Sequence, residues 1–230
     1  MRLDLISALN VERATRRAAI IVTDIQTGEQ RLVREKEISN DPLTETLKAQ
    51  LRSGKSGLIE TEGKRQFLEL HLPSPRMVIT GAVHISQALA PMARMLGYDV
   101  TIIDPRTAFA SKERFPNVPL LTEWPDQALP KVKLDHWTAF VALTHDPKID
   151  EPALEAALKS GCFYIGALGS RKTHSKRVER LRARGIDEAA IACIHAPIGL
   201  SIGAASPPEI AVAILAEITL RLRRGPEARA

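Results

Sequence analysis

The chain has 230 residues, 44% of them hydrophobic but only 4% aromatic. That is enough for one good-sized domain, or a main domain with a small extra one, around the aliphatic core that parallel α/β folds bury. A net charge of +5 invites nucleic acid, yet aromatic side chains for stacking are scarce and the basic residues crowd into one helix, which favours an anionic small ligand or an acidic protein partner and no nucleic acid.

The N-terminal MRLDLISALNVERATRR lacks the apolar stretch of a signal peptide, and no apolar run approaches a membrane span. Cys162 and Cys193 show no C-x-x-C spacing, so buried reduced thiols in a soluble, cytoplasmic protein are expected. Residues 1–72 read as a small α+β domain. Ala18 to Asp24 and Gln30 to Val33 are strand-like around a turn at Ile25 to Glu29. Asp41 is placed to cap a helix that starts at Pro42 and runs to about Arg52, with Leu43, Leu47 and Leu51 on one face. Strands from Ser56 to Glu62 and from Arg65 to Leu72 flank Gly63, and Pro73-Ser74-Pro75, which cannot continue a sheet interior, makes a boundary.

Residues 73–230 read as a Rossmann-like domain, a parallel sheet with helices on both faces, so the fold class is α/β with a small α+β domain in front. Its organising stretch is RMVITGAVHISQALAPMARMLGYDVTIID, Arg76 to Asp104. A buried strand ends at Gly81, a helix runs from about His84 to Leu96, and a second strand from Tyr98 to Ile103 ends on Asp104. A glycine there permits a sharp turn, and the helix start offers free N–H groups to a phosphate. Asp104 stands 23 residues after Gly81, where such folds place a carboxylate against a ribose hydroxyl. The glycine fingerprint is incomplete, since Val83 and Ser86 replace its second and third glycines. A βαβ unit that binds nothing stays open.

After a loop-rich stretch with a short strand around Val118 to Leu121, Thr138 to Leu143 reads as a buried strand that delivers Thr144-His145-Asp146 to the ligand-binding edge of the sheet. A helix from about Asp150 to Ser160 follows, and then the strand Cys162 to Leu168 runs into Gly169-Ser170-Arg171. The next helix carries seven basic residues and one acid between Ser170 and Gly185. Its periodicity turns Val178 and Leu181 inward and Arg177, Arg180 and Arg184 outward. Ile191 to Ile194 is the expected last strand, followed by the loop His195 to Ala205 and a helix from Pro207 to about Arg224 with Ser206 as cap.

Three places carry chemistry. The Gly81 turn and Gly169-Ser170-Arg171 suit a phosphate, the latter through bare backbone, hydroxyl and guanidinium at a helix start. His145 beside Asp146 and Asp150 could bind a metal, move a proton or hydrogen-bond a polar ring. In each case the plain alternative is structural: Asp146 or Asp150 as a helix cap, Ser170 as a cap, the charge run as a solvated face. His195 alone carries little.

The ordered motifs G-A-V-H-I at Gly81, D-P-R at Asp104, A-F-A-S-K-E-R-F-P at Ala108, T-H-D at Thr144, Y-I-G-A-L-G-S-R at Tyr164 and H-A-P-I-G-L-S-I-G-A-A-S-P-P-E-I at His195 resemble the Rossmann half of the XdhC/CoxI family. These are accessory proteins of xanthine dehydrogenase and carbon monoxide dehydrogenase. The resemblance implies a chaperone that binds molybdenum cofactor, protects it while a cysteine desulfurase supplies the sulfido ligand, and delivers it to a molybdenum hydroxylase apo-enzyme. Members commonly have G-A-G-H where this chain has Val83, and longer members carry a cysteine-containing N-terminal segment, so the chain resembles a shortened member.

Molybdenum cofactor, as molybdopterin or its dinucleotide form, needs anion-binding helix ends and hydrogen bonds for a polar ring. Gly81, His84, Gly169, Ser170 and Arg171 suit the first, with Arg106 as a further phosphate partner. Thr144, His145, Asp146 and Asp104 suit the second. No catalytic residue or metal ligand is assigned. NAD(P) or FAD, and a homodimer, remain open. The rival readings are an NAD(P)-dependent oxidoreductase, for which no Tyr-x-x-x-Lys donor is present, and a metal-dependent hydrolase built on His84, His145, Asp146 and His195.

Overall fold

A computed structural model describes residues 3–61 and 63–225; Glu62, read as the end of a strand, lies outside them. Two compact units, Met1–Pro73 and Ser74–Ala230, divide the chain.

In the first unit β1 (Ala19–Asp24), β2 (Gln30–Arg34), β3 (Gly57–Thr61) and β4 (Lys64–His71) form an antiparallel sheet in the order β2-β1-β4-β3. The helices are α1 (Leu3–Ala14) and α2 (Thr44–Ser53), the latter preceded by a 3-10 turn over Glu35–Asn40. The strand period of two decides which helix covers which face: Ile20 and Val22 pack with Leu47 and Leu68, whereas Ala19 and Ile21 pack with Leu9. The helix α1 has no counterpart in the sequence reading, because its apolar residues are spread around the helix. Asp41 does not cap α2 with its side chain; it accepts from the Leu43 amide at 2.9 Å, and the helix starts at Thr44.

The second unit holds six parallel strands, β5 (Arg76–Thr80), β6 (Asp99–Ile103), β7 (Leu120–Leu121), β8 (Thr138–Ala142), β9 (Tyr164–Ala167) and β10 (Ile194–His195), in the order β10-β9-β8-β5-β6-β7. Numbered within the unit this is 6-5-4-1-2-3, the Rossmann order. Around them lie α3 (His84–Met95), α4 (Pro125–Val132), α5 (Pro147–Lys159), α6 (Arg171–Ala183), α7 (Glu188–Ile191) and α8 (Pro207–Arg224). Alternation again sorts the faces. Met77, Ile79, Ala139 and Val141 pack with α3 and α8, while Val78, Phe140 and Ala142 pack on the side of α4 and α5.

Three local readings are corrected. The stretch after Asp104, read as loop-rich, contains the helix α4, started by Pro125 at its first position. Ile191, expected to open the last strand, instead ends α7 (Glu188–Ile191), where Asp187 caps the turn by accepting from the Ala190 amide at 2.7 Å, and the strand is Ile194–His195. Cys193 is exposed and Cys162 half-buried, both free, and burial pushes the Cys162 thiol up to about 12. Among the described residues no helix is long and apolar enough to cross a membrane.

Gly166 in β9 shows how tightly the α8 side is filled: a Cβ there would stand 2.5 Å from Ile198 Cδ1 and 2.8 Å from Tyr164 Cε1. Gly166→Ala is therefore expected to cost about 1–3 kcal/mol. Combining it with Ile198→Ala should cost less than the sum of the two single changes, a non-additivity that urea unfolding of all three variants measures.

Candidate functional site

Because all six strands run one way, their C-terminal ends share one edge, and that edge receives every residue singled out from the sequence. Along it, in spatial order, come His195 at the end of β10, Gly169 to Arg171 after β9, Thr144 to Asp146 after β8, Gly81 to His84 after β5, and Asp104 with Arg106 after β6. The chain changes direction across the sheet between β8 and β5, where such folds open their binding crevice. Gly81 lies on this line with φ +112°, and a Cβ on it would come 3.0 Å from Thr144 Cγ2 and 3.2 Å from the Thr144 amide nitrogen. Glycine is required twice over, by backbone conformation and by the neighbouring strand.

The turn after Gly81 is held from inside. Asp104 is fully buried and accepts four hydrogen bonds: from the Ala82 amide (2.8 Å) and Arg106 Nη2 (2.8 Å) on one oxygen, and from the Arg106 amide (3.0 Å) and Nε (2.9 Å) on the other. Four donors fill the four lone-pair sites of a carboxylate. Asp104 is thus a brace between the Gly81 turn and Arg106, and not the open ribose or ring acceptor that its spacing suggested. Burial alone would raise its pKa, but the Arg106 guanidinium and the two amides outweigh burial and hold it below the ordinary range. The buried Ser86 hydroxyl accepts from the Val83 amide (2.8 Å) and donates toward the Gly81 and Val83 carbonyls (2.7 and 2.8 Å). Arg114, which sequence reasoning left without a role, clamps the same turn by donating to the Ala82 carbonyl (2.9 Å), the Phe109 carbonyl (2.7 Å) and Gln87 Oε1 (3.1 Å). With the Ala82 and Val83 amides committed, the donors left for an anion come from the first turn of α3, opened by the exposed His84.

At the end of β8, α5 begins three residues earlier than its pattern suggests. Asp146 caps it by accepting from the Lys148 amide at 2.9 Å, with Pro147 at the first position. This buries Asp150 inside the first turn, 1% exposed, where it accepts from Thr80 Oγ1 (2.9 Å), the Thr144 amide (3.4 Å) and the His145 amide (3.0 Å). Burial pushes its pKa up against those hydrogen bonds. His145 is exposed at φ +64°, a left-handed conformation uncommon outside glycine, and its backbone amide donates to Asp150. Asp150 is therefore the residue that joins β5, β8 and α5 at the switch point.

After β9, Gly169 adopts φ +135° against Thr173, and Ser170 caps α6 by accepting from the Thr173 amide at 3.2 Å. Arg171 is exposed. Arg177 overturns the expected outer face of this helix: it is 3% exposed and donates to the Leu168 carbonyl at 2.9 Å. Farther along the edge, His195 Nδ1 lies 2.7 Å from Glu217 of α8, which also accepts from Tyr164 OH (2.6 Å) and the Gly199 amide (2.8 Å). Tyr164 and His195 stack at 4.7 Å between ring centroids. Burial would raise Glu217, but the His195 and Tyr164 hydrogen bonds dominate and lower it. Among the described residues no three His, Cys, Asp or Glu side chains gather as a metal site, so His84, His145, Asp146 and His195 do not assemble one.

Residues 77–218 match the family model described as the XdhC Rossmann domain. The chain is similar to the uncharacterized protein YqeB of Escherichia coli (33% identity over 66% of this chain and 28% of that protein). It is similar to a probable xanthine dehydrogenase subunit from Bacillus subtilis (31%, 69% and 46%). It is also similar to the molybdenum cofactor insertion chaperone PaoD of Escherichia coli (32%, 64% and 40%). The chain thus spans less than half the length of each of these relatives. The crystal structure of a xanthine dehydrogenase from Bacillus halodurans has the same fold at a TM-score of 0.67 and 22% identity, covering 99% of this chain and 66% of that one.

Asp104→Asn would turn one acceptor oxygen into a donor group facing donors. A loss of about 2 kcal/mol at pH 7 is expected, below the usual figure for a broken buried pair because Arg106 is partly exposed. The folded pKa is depressed, so the stabilisation is complete above the unfolded value of about 3.9 and fades as pH falls through the folded one. The gap between wild type and variant in urea unfolding should accordingly close in acid below about pH 4.

Proposed function

The chain belongs to the XdhC family, and from that premise we propose that it serves a molybdenum hydroxylase of the xanthine dehydrogenase or carbon monoxide dehydrogenase type as an accessory factor that binds molybdenum cofactor and delivers it to the apo-enzyme. The observation that carries the reading is the single edge on which two glycine turns and three helix starts meet exposed His84, His145 and Arg171. This donor set suits a phosphate joined to a polar ring. Gly81, His84, Gly169, Ser170 and Arg171 would offer the anion-binding helix starts toward the phosphate end, and Thr144, His145 and Asp146 would face the pterin. Arg106 lies beside them with two of its donors on Asp104.

When bound, the cofactor would supply the molybdenum centre of the target enzyme, with its sulfido ligand coming from a cysteine desulfurase. This chain's own residues would orient it and release it. Open helix starts and side chains partly open to water fit a carrier that hands over its ligand. The rival NAD(P)-dependent oxidoreductase reading has the Rossmann strand order in its favour, yet no Tyr-x-x-x-Lys donor is present, and Tyr164 is buried with its hydroxyl donating to Glu217.

Anaerobic calorimetric titration with molybdenum cofactor, and separately with NAD, NADP and FAD, tests the proposal. Saturable cofactor binding with little response to the nucleotides is expected; tight nucleotide binding without cofactor binding would bring the oxidoreductase forward. Arg171→Ala, at an exposed helix start, is expected to leave the melting temperature unchanged and to weaken cofactor binding roughly threefold to tenfold. Unchanged affinity would remove Arg171 from the site.

A further inference from the structure

The charge run of α6 does not all face water. Arg177 points inward, 3% exposed, with Nη2 on the Leu168 carbonyl and Nη1 3.5 Å from His174 Nδ1. Among the described residues no carboxylate stands within ion-pair distance of it. A buried guanidinium without a direct ion pair is costly, and burial draws its pKa down although the nearby charges of Asp150 and Glu151 oppose that.

Arg177 lines a cavity of about 270 Å³ at the start of α5 and along α6, together with Lys172, Thr173 and Lys176 from its own helix and Asp150 and Glu151 from α5. Positions 173, 176, 177 and 180 fall on one helical face, which brings these donors together. Four cations of the lining, counting Arg180, meet two acids, an excess of two positive charges. Glu151 is already paired with Arg180 at 2.5 Å. Asp150 spends its oxygens on Thr80, Thr144 and His145. Both acids act on Arg177 only at a distance, and neither makes a direct ion pair with it. The volume sits just under the range of about 300–1,000 Å³ usual for whole small-molecule ligands, so it suits an anionic head group and not a pterin with its appendages.

We propose that this cavity seats a phosphate monoester, with Arg177 as its buried counter-charge, the exposed Lys172 and Lys176 at its mouth and the Thr173 hydroxyl as a further donor. On the functional reading above, on which this assignment of the ligand rests, the phosphate is that of the cofactor, seated farther along α6 than the exposed helix start at Ser170 and Arg171, which would then guide it in. His145 lines the same cavity, which joins the seat to the proposed ring-binding end.

The test is calorimetry on the full chain with inorganic phosphate and, separately, with molybdenum cofactor, for wild type, Arg177→Met and the double variant Lys172→Ala/Lys176→Ala. Circular dichroism checks that each variant folds. The lysines are exposed, so the double variant keeps the test valid if Arg177→Met does not fold. Wild type should take up phosphate saturably, and the double variant should bind phosphate and cofactor about tenfold or more weakly. Absence of saturable phosphate uptake, or equal affinities in folded variants, would overturn the seat. Cofactor bound at full strength by the double variant would overturn it while leaving the accessory role intact. Lysine-dependent phosphate uptake without any cofactor binding would uphold the anion seat and sink the functional reading to which it is joined.

Discussion

Parallel alignment of six strands is the constraint from which the site follows. Hydrophobic runs such as Met77 to Thr80 and Ala139 to Ala142 are buried on both faces, so helices must cover both sides of the sheet and the connections must return each strand in the same sense. Loops that carry Gly81, Asp104, Thr144, Gly169 and His195 therefore collect at one edge, although they lie far apart in the chain. The polar chemistry at that edge is a consequence of core burial elsewhere.

Within the edge, polar groups divide into those that hold the loops and those that face outward. Asp104, Ser86, Asp150 and Glu217 are buried or half-buried and hydrogen-bonded to backbone amides of the loops. His84, His145, Ser170 and Arg171 are exposed. The distinction matters because a carboxylate with four donors has nothing left to offer a ligand, whatever its position in a motif. An acid at the end of the second strand can stand where a dinucleotide site would need it and still serve only the turn.

Much of the fold was legible in the sequence, since β5, α3, β6, β8, β9 and α8 announce themselves by apolar runs and caps. The signal failed where it was local and weak: α1 has no apolar stripe, α4 hides among prolines, and β10 is two residues long. The candidate site was legible to the level of which loops, but not of which atoms. Nothing in the spacing of Asp104 reveals that Arg106 folds back onto it. Helical periodicity placed Arg177 outward because charge usually goes to water, and only the packing of α6 shows it buried. Asp150, noticed as a possible helix cap, proved to be the buried tie at the switch point because the helix begins at Pro147.

The parallel sheet ends on both sides in strands of two residues, β10 and β7. An exposed strand edge is a template on which another chain can add itself by backbone hydrogen bonds, and its reach grows with its length. Edges this short give such an intruder little to extend, which guards the unit against ladder-like aggregation. What edges of two residues leave for any contact is side chains more than backbone, so substitutions there change the surface without disturbing the sheet.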